Sequence, residues 1–209
     1  IIELEEKDDF RLTREKLIEK ITPNTKVLIL PFPNNPTGAV MRREDLEPIC
    51  RLQQKHKLYV LSDEIYSELT DGGTEHTSIA AMPGMAERTV VINGFSKAYA
   101  MTGWRLGYLI VPRDLVRPMQ ALMQNFFLST NSAVQKAGIA ALTCADEDVA
   151  RMHATYDERR RFLLGELKRL GFNIPVEPMG AFYMLINARH LGSSSMELAF
   201  DLLEKAHIG

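Results

Sequence analysis

Apolar residues in this chain fall into two patterns, short continuous runs and one-sided stripes, and the two alternate. Lys26-Val27-Leu28-Ile29-Leu30-Pro31 is an unbroken run closed by proline, which predicts a strand buried on both faces. Ahead of it, Thr13 is placed to cap a short helix running to about Lys20, with Leu17 and Ile21 inward. After the run come the loop Pro33–Gly38 and a helical stripe of about a dozen residues, with Leu46, Ile49, Cys50 and Gln53 inward. Leu58–Ser62, Thr89–Asn93 and Leu106–Val111 predict three more strands, the last stopped by Pro112.

From Asp114 the pattern becomes helical. Leu115, Met119, Leu122, Met123 and Phe126 form one apolar face, and small residues continue a helix from Ala133 to Ala145. Val149, Met152, Tyr156, Leu163, Leu167 and Leu170 mark a long amphipathic helix that Gly171 is placed to end. A hairpin-like stretch over Asn173–Ala188 and a helix near Met196–Ala206 follow. The expected class is α/β: a partial three-layer arrangement around a mainly parallel sheet over residues 1–148, then part of a smaller α+β domain over residues 149–209.

Composition narrows the function classes. A 209-residue chain with 45% hydrophobic residues can bury a substantial core. With 25 Lys and Arg against 27 Asp and Glu, charge gives no case for nucleic acid or an anionic membrane. The apolar runs are too short to span a bilayer, and Ile1-Ile2 is followed by acidic residues rather than a signal-peptide core. Cys50 and Cys144 have neither metal-like nor redox-like spacing and read as small hydrophobes in a reducing compartment. These features predict a soluble, cytoplasmic protein.

Ligands in open α/β sheets bind beyond the carboxyl ends of the strands. Three successive runs end there in polar residues: Asn35 after the first, Asp63 and Tyr66 after the second, Ser96-Lys97 after the third. Arg105 follows Lys97 by eight residues, at the start of the fourth. Taken singly, each has a plain explanation. Lys97 reads as a solvated lysine, Asp63 as a helix cap, Tyr66 as core, Arg105 as an ion-pair partner and Asn35–Gly38 as a turn. Their convergence on one rim is what calls for chemistry.

Asn35-Pro36-Thr37-Gly38, Asp63-Glu64-Ile65-Tyr66 and the block from Gly94 to Tyr108, which contains Ser96-Lys97-Ala98-Tyr99 and Gly103-Trp104-Arg105, resemble the signature segments of class I/II aminotransferases. These are the fold type I enzymes dependent on pyridoxal 5'-phosphate (PLP), and the resemblance extends to Gly180-Ala181-Phe182-Tyr183. It implies that Lys97 holds the PLP aldehyde as a Schiff base and, once released, acts as general base. It further implies that Asp63 keeps the pyridine nitrogen protonated, that Tyr66 and Asn35 bind the ring's phenolic oxygen, and that Arg105 and Ser96 bind the phosphate. The implied partners are an α-amino acid, a 2-oxo acid and a second copy of the full-length protein as a homodimer. Some members carry a phosphate-binding serine where this chain has Gly94, which offers only a backbone N–H.

The same resemblance implies that the chain lacks the first part of the large domain and stops before the arginine that clamps the substrate carboxylate; Arg189 lies too early to be it. An open sheet edge with exposed apolar surface is therefore expected, as is weak PLP binding by this piece alone. Three other readings stay open at this stage. A C–S or ring-forming lyase of the same fold would use the same lysine and aspartate. A PLP-binding transcription regulator would carry a DNA-binding domain upstream. An α/β domain without cofactor would make the polar rim a coincidence.

Overall fold

Three of the four predicted strands lie side by side and parallel, and the fourth joins them running the other way. The computed structural model describes residues 1–192 and 194–208; Ser193 and Gly209, both inside the expected second domain, lie outside the described residues. The strands are β1 (Val27–Pro31), β2 (Tyr59–Asp63), β3 (Thr89–Gly94) and β4 (Gly107–Ile110), in the order β1-β2-β3-β4. β1, β2 and β3 pair in parallel, with Pro31 opposite Asp63 and Asp63 opposite Ile92. β4 is antiparallel to β3, and Gly94 faces Gly107. The sheet is mixed and mostly parallel, with helices beside it, as the α/β reading requires.

The first helix, α1 (Arg14–Lys20), begins where its cap predicts: the Thr13 Oγ1 accepts the Lys16 N–H at 3.3 Å. The second, α2 (Arg43–His56), turns Leu46, Ile49, Cys50, Leu52 and Gln53 inward. Leu46, Ile49, Cys50 and Leu52 pack with Leu28, Leu30 and Val60 of the sheet and Leu17 of α1 into the main core. Ile49 and Val60 are wholly buried. Burying an aliphatic side chain of this size contributes roughly 1.5–3 kcal/mol.

The sheet departs from expectation on its other face. β1 is covered on one side only: Leu28 and Leu30 are buried, whereas Val27 and Ile29 are 51% and 64% exposed. The cause is that α2 covers one face and no described element covers the other. Tyr59, the register partner of Val27, is exposed on that same open face. β1 and β4 both end the sheet with unpaired edges among the described residues. The expected open edge is thus present, and there are two.

Three helices follow β4: α3 (Arg113–Phe126), α4 (Ser132–Cys144) and α5 (Asp146–Arg169). The α3 stripe forms as predicted yet stays largely uncovered, with Leu122, Met123 and Phe126 exposed. Gly171 ends α5 with φ +85°, and its N–H reaches the Lys168 carbonyl at 3.0 Å. A final helix, α6 (Ser195–Ala206), completes the chain.

The expected hairpin over 173–188 is a correction. It contains no paired strands, only the antiparallel bridge Asn173–Asn187 at its mouth. Gly180, near its tip, pairs instead with Thr70, far away in sequence. The tip is drawn off by backbone bonds: the N–H groups of Met179 and Gly180 both reach the Gly38 carbonyl, at 2.9 and 3.0 Å, and the Ala181 N–H reaches the Leu69 carbonyl at 2.8 Å. Arg160 of α5 steadies the same region, donating to Asp157 at 2.8 Å, Glu177 at 3.1 Å and the Pro178 carbonyl at 3.3 Å.

Candidate active site

Strand direction places the polar residues. β1, β2 and β3 run the same way, so their carboxyl ends share one edge, while antiparallel β4 begins at that edge. Asp63, at the end of β2, and Asn35, Tyr66, Ser96, Lys97 and Arg105, on the adjoining loops, therefore all lie at a single rim. The convergence expected from the sequence depends on the reversed direction of β4, since a parallel fourth strand would carry Arg105 to the far side.

Asp63 is the last residue of β2, and the two-residue alternation puts it on the open face with Tyr59. It caps no helix. Its Oδ1 accepts the Ile65 N–H at 3.2 Å, which tightens the turn that follows. Next to it Glu64 turns the opposite way and is 4% exposed. Its Oε1 accepts the hydroxyls of Ser62 and Ser78, both at 2.8 Å, and its Oε2 pairs with His76 Nε2 at 2.9 Å. Burial pushes the Glu64 carboxyl up, but the hydrogen bond and charge of His76, together with the two serines, outweigh it and hold the group below its ordinary value.

Tyr66 is buried, and its hydroxyl donates to the Tyr183 hydroxyl at 3.2 Å. Burial pushes this phenol up, and Tyr183 and the negative charge of Asp63 push the same way. The Asn35 side-chain amide opposes them. Phe182 and Tyr183 meet the Tyr66 ring edge-on, with centroids at 5.4 and 6.0 Å, and Phe182 stacks on Tyr156 of α5 at 5.2 Å.

Lys97 lies in the turn after β3, half-buried. Its Nζ stands 5.5 Å from the Phe182 ring centroid and 6.0 Å from that of Tyr66, and it has no carboxylate partner among the described residues. The aromatic faces attract the group as a cation, and no ion pair among the described residues ties it down. Ser96 and Arg105 sit on the same rim without touching this cluster. The Ser96 carbonyl accepts the Thr102 hydroxyl at 3.0 Å. Arg105 is exposed, has φ +53°, and donates to the Thr102 carbonyl at 3.1 Å.

The structure thus gathers Asn35, Asp63, Tyr66 and Lys97 into one neighbourhood and leaves Ser96 and Arg105 at its margin. The sequence reading missed Glu64 as a buried anchor, and it used Phe182 and Tyr183 only as resemblance. A carboxylate directly after an apolar run, with His76 and Ser78 downstream, is the only signal Glu64 gave.

A mixed sheet bearing an unpaired lysine, an aspartate and a tyrosine on its carboxyl rim is the arrangement of fold type I aminotransferases. Residues 1–208 match the family described as aminotransferase class I and II, and the chain belongs to it. It is 47% identical over 182 residues to an aspartate aminotransferase from Pinus pinaster, a match that takes in 85% of this chain and 37% of the relative. It is 36% identical to an aspartate aminotransferase from Geobacillus stearothermophilus, covering 97% of this chain and 53% of that protein. The solved structure of an aromatic aminotransferase from Pyrococcus horikoshii superposes with a TM-score of 0.94 at 36% identity, over 100% of this chain and 56% of that one. The chain therefore spans about half the length of the relatives it matches or less.

Proposed function

We propose that the full-length protein is a PLP-dependent aminotransferase that moves an amino group between an α-amino acid and a 2-oxo acid. The observation that carries this reading is the Lys97 amine, half-buried against Phe182 and Tyr66 and without a carboxylate partner among the described residues, in the turn after the strand that lies next to the one ending in Asp63. The residues present fit PLP: an amine for its aldehyde, a carboxylate for its ring nitrogen, a phenol and an amide for its ring oxygen, and a hydroxyl and a guanidinium for its phosphate. Bound PLP supplies an electron sink for the pair left at the substrate's α-carbon.

Everything else falls to the protein. Lys97 would hold the aldehyde and, once displaced by substrate, take the α-proton and return it. Asp63 would accept the ring N–H and keep that nitrogen positive. Tyr66 and Asn35 would hold the ring oxygen as an anion. Arg105 and Ser96 would face the phosphate, with the backbone N–H of Gly94 in place of a serine side chain. Arg105 has only a backbone carbonyl as partner, so its remaining donors are available for that role.

We also assign the full-length protein to the cytoplasm as a homodimer. Both cysteines are free thiols, and no helix among the described residues is long and apolar enough to cross a membrane; the homodimer rests on the family to which the chain belongs. Residues 1–148 and 149–209 are assigned to the PLP-binding domain and a smaller domain, respectively.

The test is an absorbance spectrum of the full-length protein with PLP, taken before and after borohydride, followed by peptide mapping. The reading expects a cofactor fixed covalently at Lys97. A label on another lysine, or none, overturns it. If pyruvate and ammonia form from a cystine-like substrate, the lyase reading takes its place.

A further inference from the structure

We propose that Tyr183 is a positioning residue that acts through Tyr66, setting how strongly the Tyr66 hydroxyl donates to the ring oxygen of the cofactor. This deepens the reading of Lys97 as the cofactor-bearing lysine and rests on it.

The first observation is where Tyr183 comes from. It lies far along the chain from Tyr66, yet the two phenol oxygens are 3.2 Å apart. The approach is fixed by backbone rather than by side-chain chance. Gly180 is held to the Gly38 carbonyl, and Ala181, at φ +58°, is held to the Leu69 carbonyl. A Cβ on Gly180 would stand 2.7 Å from both Pro33 Cβ and Val40 Cγ2, so only glycine lets the chain come this near. Tyr183 follows three residues after this glycine. Phe182 lies beside it against the same Tyr66 ring, its own ring 4.8 Å from that of Tyr183.

The second observation concerns protons. A phenol oxygen has one proton to give and two lone pairs to receive. In the structure the Tyr66 proton points to Tyr183, so Tyr66 cannot offer it elsewhere in that state. If Tyr66 is to donate to a ring oxygen, the pair must reverse, with Tyr183 donating to Tyr66. Reversal requires only rotation of two O–H bonds and keeps the phenol–phenol contact. The Asn35 amide favours the ionised form of Tyr66. With Tyr183 donating to it, the Tyr66 O–H is polarised and becomes a stronger donor, because bonds in a chain reinforce one another. The charged groups around this phenol are Asp63 and Lys97. Tyr156 contacts it only through Phe182. No carboxylate or amine touches Tyr183 among the described residues, so its influence on the ring runs through Tyr66.

A stronger donor at the ring oxygen lowers the pH at which the Lys97-linked chromophore gives up its proton. In full-length holoenzyme, Tyr183→Phe keeps the ring and its packing and removes one oxygen. It is expected to raise the midpoint of the chromophore's pH titration by roughly 0.3–0.5 pH unit. Tyr66→Phe is expected to raise it further. In the Tyr66→Phe background, adding Tyr183→Phe is expected to change nothing, which is the mark of an effect relayed through Tyr66 rather than a general loosening of the site. A single Tyr183→Phe variant that titrates like wild type overturns the role. So does a shift that persists in full on the Tyr66→Phe background. A wild-type protein in which borohydride fixes nothing at Lys97 is a different failure: it overturns the cofactor reading, and the role of Tyr183 goes with it.

Discussion

Replacing Glu64 tests how the turn that carries Asp63 and Tyr66 is held. The carboxylate is buried and takes hydrogen bonds from Ser62, Ser78 and His76 at 2.8, 2.8 and 2.9 Å. Its backbone N–H reaches the Ile92 carbonyl of β3 at 2.9 Å. Glu64→Ala strands two hydroxyls and an imidazole with no acceptor. Each hydrogen bond to a charged group is worth about 1.5–3 kcal/mol, but such terms do not add. Breaking a buried pair by deleting one partner costs about 3–5 kcal/mol, and that is the expected loss. Glu64→Gln keeps an oxygen for the serines and sets an amide against His76, which a neutral imidazole can accept; the expected loss is about 1–2 kcal/mol. The assay is guanidinium denaturation of the full-length protein at several pH values. The native Glu64 carboxyl titrates below its ordinary value of 4.5, where the unfolded chain titrates. Its charge therefore contributes stability in full above about pH 4.5, and that contribution fades as pH falls through the lower native value. The gap between wild type and Glu64→Gln should narrow on acidification below that point. An alanine variant that loses under about 1 kcal/mol, or a gap that is flat with pH, would refute the reasoning.

Three further changes have defined outcomes. Lys97→Ala should leave the melting temperature of the apoprotein within a few degrees of wild type, because the side chain has no ion pair among the described residues, yet abolish both borohydride fixation and turnover. Gly38→Ala should cost at least about 2 kcal/mol in denaturant, since the residue sits at φ +70° and a Cβ would collide with Pro178; a wild-type midpoint would contradict the close approach. Thr13→Ala removes the α1 cap and should cost about 1 kcal/mol by the same assay, leaving the chromophore untouched.

What the sequence disclosed, and what it did not, follows from the reach of each signal. Local rhythm was sufficient for α1, α2 and α5 and for the existence of all four strands, because caps and periodicity act over a few residues. An apolar run such as Val27–Leu30 reports that both faces suit burial, but not which elements supply the cover, so β1 was read as buried on both faces when only one is. Strand direction leaves no mark in periodicity, and antiparallel β4 had to be seen. The tip at Gly180 was assigned a local partner because its true partner, Thr70, lies 110 residues earlier. Glu64 drew no reading of its own, because charged residues are usually exposed; its three donors come together only in the fold. The rim residues were legible through their strand-end positions and the Gly94–Tyr108 block, whereas the Tyr66–Tyr183 pair was not.

The stitching of Gly180 to Gly38 changes how this molecule divides. A cut in sequence at residue 149 assigns Phe182 and Tyr183 to the later segment, but their backbone is tethered to loops of the earlier one. Mechanically, the aromatic wall beside Lys97 travels with the sheet. Tyr156 and Arg160 of α5 grip the same wall, through the Phe182 ring and the Pro178 carbonyl, so α5 is fastened to it as well. Truncation at the apparent border would strip Tyr66 of two ring neighbours and of its hydroxyl partner, although every strand would remain.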